Sequence, residues 1–410
     1  MRILYVAHRI PYPPDKGDKI RSFNQVRYLG RRHELWCACF VDDANDLEHV
    51  NDLRPWCAEL QAVPINRNKA VIRSLWALAA GGTATEGFYR DGRMAALLGD
   101  WSRRAQFDAA VFFSSGVAQY RPCVTAGRMV LDFCDWDSLK WSDYARRSRS
   151  PLGRLLQREA GRLRRREADW IGQFDASVVI TDYERADAPT SADDQRIHVV
   201  GNGVHAGPEP VTPPGAAANN VGFVGQMDYP PNVDAVCWFV RQVWPAVRRD
   251  VPQARFNIIG RSPLRSVRAL AQIPGVRVTG AVKDVRAEIE RLAVSVAPMH
   301  MGRGLQNKVL EAMAAARPVV LSPTAARGID ATAPQHFLVA HGADEFARHV
   351  VALLHVPARR DEIGLAARRR VMERYRWDIE MAKLESLLMG AACPAPTQRA
   401  ASIEAALASV

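Results

Sequence analysis

The sequence predicts two doubly wound α/β domains in tandem. Three features point there. Short apolar runs alternate with longer segments of helical period, the signature of buried parallel strands joined by helices. The series halts once, at 205–220 (HAGPEPVTPPGAAANN), a Pro-, Ala- and Gly-rich linker, and then restarts. The chain has 410 residues, room for two to three domains at about 150 residues each.

Taken in order, the expected strands of the first series are Arg2–Ala7, Glu34–Val41, Leu60–Ile65, Asp108–Phe113, Met129–Asp132, Ala176–Thr181 and Ile197–Val200. The second series reads Val221–Gly225, Arg255–Gly260, Val276–Gly280, Val294–Pro298, Pro318–Leu321 and Phe337–Ala340. The expected organisation is an N-terminal domain over 1–204, the linker, a C-terminal domain over 221–375, and a helix at 376–390 that crosses back to the first domain. The long helical stretch from Arg359 to Met389 carries that crossing, and 391–410 reads as a disordered tail.

Composition narrows the class. Hydrophobic residues make up 48% and charged residues 24%, a globular mixture rather than a disordered one. The seven cysteines (37, 39, 57, 123, 134, 237 and 393) include no CxxC pair, which speaks for a reduced compartment and against a zinc site. The start turns polar at His8-Arg9, too soon for a signal peptide, and no apolar run reaches the roughly 18–20 residues of a membrane span. A cytoplasmic protein is expected, dissolved or lying on the inner face of the membrane.

The chemistry concentrates in 297–321, APMHMGRGLQNKVLEAMAAARPVVL. A strand ends near Pro298, the loop Gly302-Arg303-Gly304 follows, and a helix is expected from about Leu305 to Ala315. Lys308 and Glu311, three apart, share one helix face. A cation in the first turn opposes the helix dipole unless an anion sits above it, and a phosphate held by the loop amides would be that anion. An ionised Glu311 is an acceptor for sugar hydroxyls. An ordinary surface ion pair is the plain alternative.

This segment resembles the donor motif of GT-B glycosyltransferases of the GT4 type. The resemblance extends to VGFVGQMDYPPN (221–232), FNIIGRSP (256–263), YVAHRIPYPPDKGDKIRSFN (5–24) and VVGNGV (199–204). It covers about 1–390 and is nearest to a bacterial sugar-transferase subgroup associated with exosortase (PEP-CTERM) systems. It implies two Rossmann-like domains facing across a cleft, a nucleoside-diphosphate sugar as donor, retention of configuration, and no metal or other cofactor. Glu311 would hold the ribose, Lys308 the diphosphate, and Val282-Lys283 the base; Gly17 would let the first-domain loop approach the phosphates. Two positions depart from the pattern. The first Glu of the family's E-x7-E falls on Arg303, and the usual Arg after the first C-domain strand is Gln226. Arg261 is the candidate replacement phosphate contact, with Arg303 a second; Gly17 and Arg261 also admit plain readings as a turn residue and a solvated charge.

On the acceptor side, LDFCDWDSLKW (131–141) places Asp132, Asp135 and Asp137 after a strand, and Asp135 is the candidate to orient or deprotonate an acceptor hydroxyl. Helix capping is the other reading. His8 follows the first strand and is either a ligand contact or a structural histidine.

Charge is uneven. Lys and Arg total 55 against 44 Asp and Glu, a net +11, and 146–168 alone holds nine arginines and two glutamates. Leu152, Leu155, Leu156 and Leu163 recur at helical spacing, so this is a basic amphipathic segment after Pro151, suited either to an anionic membrane or to a domain surface. It carries no zinc-finger or RNP-type motif, so nucleic acid is not expected.

The expected function is transfer of a hexose from a nucleoside-diphosphate sugar to a lipid-linked or polysaccharide acceptor in exopolysaccharide biosynthesis. The alternatives are a nucleotide-sugar epimerase of related fold and a non-catalytic sugar-nucleotide-binding scaffold. A dinucleotide enzyme is disfavoured because no GxGxxG follows the first strand.

Overall fold

The computed structural model describes residues 1–148, 151–191, 194–205, 207, 219–302 and 304–391. Thirteen strands fall where apolar runs place them. The first lobe contains β1 (Arg2–Ala7), β2 (Glu34–Val41), β3 (Glu59–Pro64), β4 (Phe107–Phe113), β5 (Ala126–Cys134), β6 (Ala176–Val179) and β7 (Ile197–Val199). They form one sheet in the order β3-β2-β1-β4-β5-β6-β7. The second lobe contains β8 (Asn220–Val224), β9 (Arg255–Ile259), β10 (Val276–Gly280), β11 (Val294–Ala297), β12 (Val319–Leu321) and β13 (Leu338–Val339), in the order β10-β9-β8-β11-β12-β13.

Every pairing in both sheets is parallel. Helices therefore cover both faces, and strands such as β1 are apolar on both sides: Ile3, Tyr5 and Ala7 enter one core, Leu4 and Val6 the other. Strand order reverses between β1 and β4 in one lobe and between β8 and β11 in the other. These are the points where open α/β sheets leave a crevice at their carboxyl ends.

The helical stretch from Arg359 to Met389 is two helices, the second of them inside the 376–390 expected for a helix that crosses back. Pro357–Arg374 stays with the second lobe, where Ile363, Ala367 and Val371 join its core. The chain then extends through Tyr375 and Arg376, and Trp377–Leu388 packs Trp377, Met381, Leu384, Leu387 and Leu388 against the first-lobe sheet. The break occurs because Val204 forms a parallel bridge with Arg376 and its N–H donates to the Tyr375 carbonyl, 2.6 Å. Backbone spent on that bridge cannot continue a helix.

The amphipathic stretch expected after Pro151 lies in a helix that starts there. One helix spans Asp137–Arg147 and another Pro151–Gln173. Leu163 is buried and Leu152 exposed, so the leucine row is a core contact at one end only. Arg162 donates to the carbonyls of Leu78 and Gly82, Arg164 to those of Asp187 and Ala188, and Arg166 pairs with Glu86. Arg149 lies outside the described residues, as do 206, 208–218 of the linker and 392–410 of the tail.

Candidate donor and acceptor site

The carboxyl ends of the two sheets enclose a cleft of about 1000 Å³. Its walls include backbone that ordinary side chains resist. Ser114 and Cys134, at the ends of β4 and β5, have φ of 83° and 63°, and Gly302 and Gly304, after β11, have 144° and 69°. Such conformations cost about 1–3 kcal/mol for non-glycine residues and cluster at functional sites. Gly260 has φ 149°, and a Cβ there would lie 1.7 Å from the Gly225 carbonyl oxygen. The ends of β8 and β9 thus touch through glycine, which opens the crevice above them.

Lys308 and Glu311 lie on the floor, on the Asn307–Ala314 helix. That helix begins two residues later than the sequence predicts, with no side-chain cap at Gln306. The Val309 and Leu310 N–H groups donate to the Gln306 carbonyl, and the start of the helix faces the cleft, the end of a helix that favours an anion. The Lys308 ammonium donates to Asn232 Oδ1 at 2.5 Å and stands 4.6 Å from the centre of the Phe223 ring. Burial pulls its pKa down to about 7, with Glu311 opposing. Burial pushes Glu311 up to about 7, with Lys308 opposing. Among the described residues the Glu311 carboxylate has no hydrogen-bond partner. The two groups lie side by side in the cleft, buried rather than paired on an exposed surface, which makes them candidates for ligand contact.

Arg261, beyond β9, reaches across to Asp15 in the first lobe and forms an ion pair with it. Its Nε is buried without an acceptor, a donor left over for a ligand oxygen. Opposite lies the start of the Gly17–Gly30 helix, again without a side-chain cap. A Cβ at Gly17 would meet nothing within 4 Å, so glycine there leaves space rather than enabling a turn. Val282 lines the cleft after β10, beside Lys283. Gly304 is pinned by its N–H to Glu184 Oε1, 2.9 Å across the lobes. Arg303 lies outside the described residues.

Of the three aspartates in and just after β5, Asp132 is not an acceptor group. It is fully buried, bound by Arg21 (2.8 Å) and Gln25, and Arg21 in turn holds the Gly201 carbonyl and Asn202. Asp135 faces the cleft with Lys140 at 3.2 Å from Oδ1, and Lys140 also holds Asp137 at 3.0 Å. Burial would lower the Lys140 pKa, but the two carboxylates hold it well above its usual value. His8 Nε2 is 3.4 Å from Asp18, which also binds Arg9; Arg9 grips Asp42 with its remaining donors. Burial alone would raise the Asp18 pKa, yet the His8 hydrogen bond and Arg9 charge hold it far below the carboxylate range.

Sequence reasoning missed Lys140, Glu184, Arg9 and Asn232. The first three are single residues in loops or at helix starts, with no spacing to betray them. Asn232 had a signal: it closes the 221–232 stretch that carries the resemblance, and it receives Lys308. Among the described residues no group of three or more His, Cys, Asp or Glu is placed to hold a metal ion.

Residues 218–355, about a third of the chain, match the family model described as glycosyl transferases group 1. Sucrose-phosphate synthase from Thermosynechococcus elongatus superposes with a TM-score of 0.70 at 15% identity, covering 95% of this chain and 99% of its own. Anabaena HepE, solved in complex with UDP, gives 0.67 at 11% identity, covering 95% and 100%. The fold is GT-B. An uncharacterized 44.6 kDa protein in the cps region of Klebsiella pneumoniae is 23% identical over 140 residues, 32% of this chain. The match spans only 36% of that relative's length. In the GT-B frame, Lys308 and Glu311 belong to the second lobe and Asp135 to the first, and the cleft brings all three together with Gly17, Arg261, Val282 and Gly304.

Proposed function

We propose that the protein is a glycosyltransferase that moves a hexose from a nucleoside-diphosphate sugar to a lipid-linked or polysaccharide acceptor in exopolysaccharide assembly. We further propose that it acts with retention and without a metal, in the manner of the GT4-type subgroup that the sequence resembles. The observation that carries the reading is the Lys308–Glu311 pair beneath an uncapped helix start, both groups desolvated and the carboxylate unpartnered. The UDP complex of HepE and the cps-region relative support the donor and pathway classes.

In this reading Glu311 accepts from the ribose hydroxyls. The bond between the anomeric carbon and the diphosphate oxygen breaks, and its electron pair leaves with the diphosphate. Lys308, the Arg261 Nε–H and the helix N–H groups stabilise the charge that develops there. The acceptor hydroxyl oxygen bonds to the anomeric carbon while Asp135 takes its proton.

Thermal shift against UDP, GDP, ADP, CMP and their sugars tests the donor site. A ligand at 100 times its Kd adds about 2.7 kcal/mol, several degrees for domains of this size. One nucleotide diphosphate is expected to raise Tm, and the shift is expected to vanish in Glu311→Ala. No shift with any of them overturns the assignment of Lys308 and Glu311. Transfer is expected to persist in excess EDTA; activity lost there and restored by a divalent cation would overturn the metal-free part. Interconversion of free nucleotide sugars with no acceptor would favour an epimerase instead.

A further inference from the structure

The Arg67–Ala79 helix is built inside out. Its inward side is small: Ala70 is buried, the Ser74 hydroxyl donates to the Ala84 carbonyl, and Ala77 meets Gly87 of the next helix. Its outward side is large and apolar, with Val71 51%, Ile72 55%, Leu75 56% and Trp76 72% exposed. These four lie on one helical stripe. A tryptophan so exposed beside three aliphatic residues is not the scattered apolar exposure of ordinary surfaces.

Charge says what covers this face. The helix contains no acidic residue and starts with Arg67 and Lys69. The Pro151–Gln173 helix runs against its far end, where Arg162 donates to the Leu78 and Gly82 carbonyls at 2.6 and 2.9 Å. Arg154 and Arg158 precede Arg162 at four-residue steps, so they continue its stripe. Both are exposed, and among the described residues neither has a carboxylate within 4 Å. An apolar strip with an aromatic anchor, on a helix with no acidic residue and beside the exposed Arg154 and Arg158, matches an anionic bilayer: acyl chains for the strip, headgroup phosphates for the arginines.

We propose that the Arg67–Ala79 helix docks the first lobe on an anionic membrane surface, inserting Trp76, Ile72, Leu75 and Val71 while Arg154 and Arg158 bind headgroups. The basic segment alone does not form the contact; the apolar part comes from a helix some eighty residues earlier in the chain. No helix among the described residues is long and apolar enough to cross a membrane. The inference does not rest on the donor chemistry.

The test is co-sedimentation of the full chain with phosphatidylcholine vesicles containing either no anionic lipid or about 30% phosphatidylglycerol. Binding is expected on the anionic vesicles only, weakening as salt rises. Trp76→Ser with Ile72→Ser should lower partitioning at least about tenfold, and Arg154→Gln and Arg158→Gln about fivefold each. Leu365→Ser, at an exposed leucine elsewhere (46%), should change nothing and controls for general loss of surface hydrophobicity. Unchanged circular dichroism and Tm in the variants separate a docking defect from misfolding. Failure of the wild type to sediment with either vesicle overturns the proposal. So does concentration-dependent dimerisation of the wild type in light scattering that Trp76→Ser abolishes, since a second copy would then be the occupant.

Discussion

Lys308→Met is expected to lower kcat/KM by about a hundredfold or more, the scale for removing one preorganised stabiliser of developing charge. The lysine stands out because the empty cleft holds it near neutrality. Burial brings its pKa to about 7, so at pH 8 most of the free protein carries an uncharged amine there. A bound diphosphate favours the ammonium, so binding must bring a proton with it. Glu311 works in the opposite sense. Its pKa is pushed up to about 7, so at pH 6 it is largely protonated and must release a proton to accept two ribose hydroxyls. Titration calorimetry in buffers of different ionisation enthalpy should therefore show net uptake at pH 8 and net release at pH 6. Lys308→Met should abolish the uptake and keep the release. A full rate in the methionine variant, or a proton count near zero at both pH values, would remove Lys308 from the donor site.

Glu311→Gln should weaken donor binding and strengthen the empty protein. The loss follows from replacing a carboxylate acceptor by an amide: hydrogen bonds to charged groups are worth about 1.5–3 kcal/mol each, so roughly a hundredfold in KM is expected. The gain follows from linkage. A carboxyl with a raised pKa binds more protons folded than unfolded between its ordinary value and about 7, so stability falls as pH climbs through that interval. The cost is absent below the interval and complete above it. Glutamine removes the ionisable group, and with it a cost of about 3 kcal/mol, several degrees in Tm at about 2–4 °C per kcal/mol for domains this size. The difference in Tm between variant and wild type should be present at pH 8 and close to zero at pH 4.5. Equal Tm at both would mean that Glu311 is well solvated and not poised for a ligand.

The sheets were legible because parallel strands buried on both faces are written as unbroken apolar runs, and Leu4 and Tyr5 need opposite cores but the same chemistry. Helix ends were less so. Apolar period continues across Arg374–Trp377 without interruption, and only the tertiary bridge from Val204 divides it. In the site, Lys308 and Glu311 were legible because three-residue spacing fixes a shared helix face. Asp135 could not be told from Asp132 by spacing. The difference is that Arg21, more than a hundred residues earlier, neutralises one of them. The outward face of Arg67–Ala79 was illegible for the reverse reason: an apolar stripe at helical period is the normal mark of a core helix, and nothing local says which side the core is on.

The Trp377–Leu388 helix has a consequence for where one half of the molecule ends. By connectivity it belongs to the second lobe, since it follows Pro357–Arg374 directly. By packing it belongs to the first: its carboxylate Glu380 holds the Gly201 N–H at 2.6 Å, and Glu385 receives Tyr28 and His33. A cut in the linker therefore yields two chains that remain fastened, because the downstream fragment keeps its last helix embedded in the upstream one. Each half expressed alone carries a defect of the other's making: one lacks the cover over its sheet, and the other trails an apolar helix with nowhere to fold.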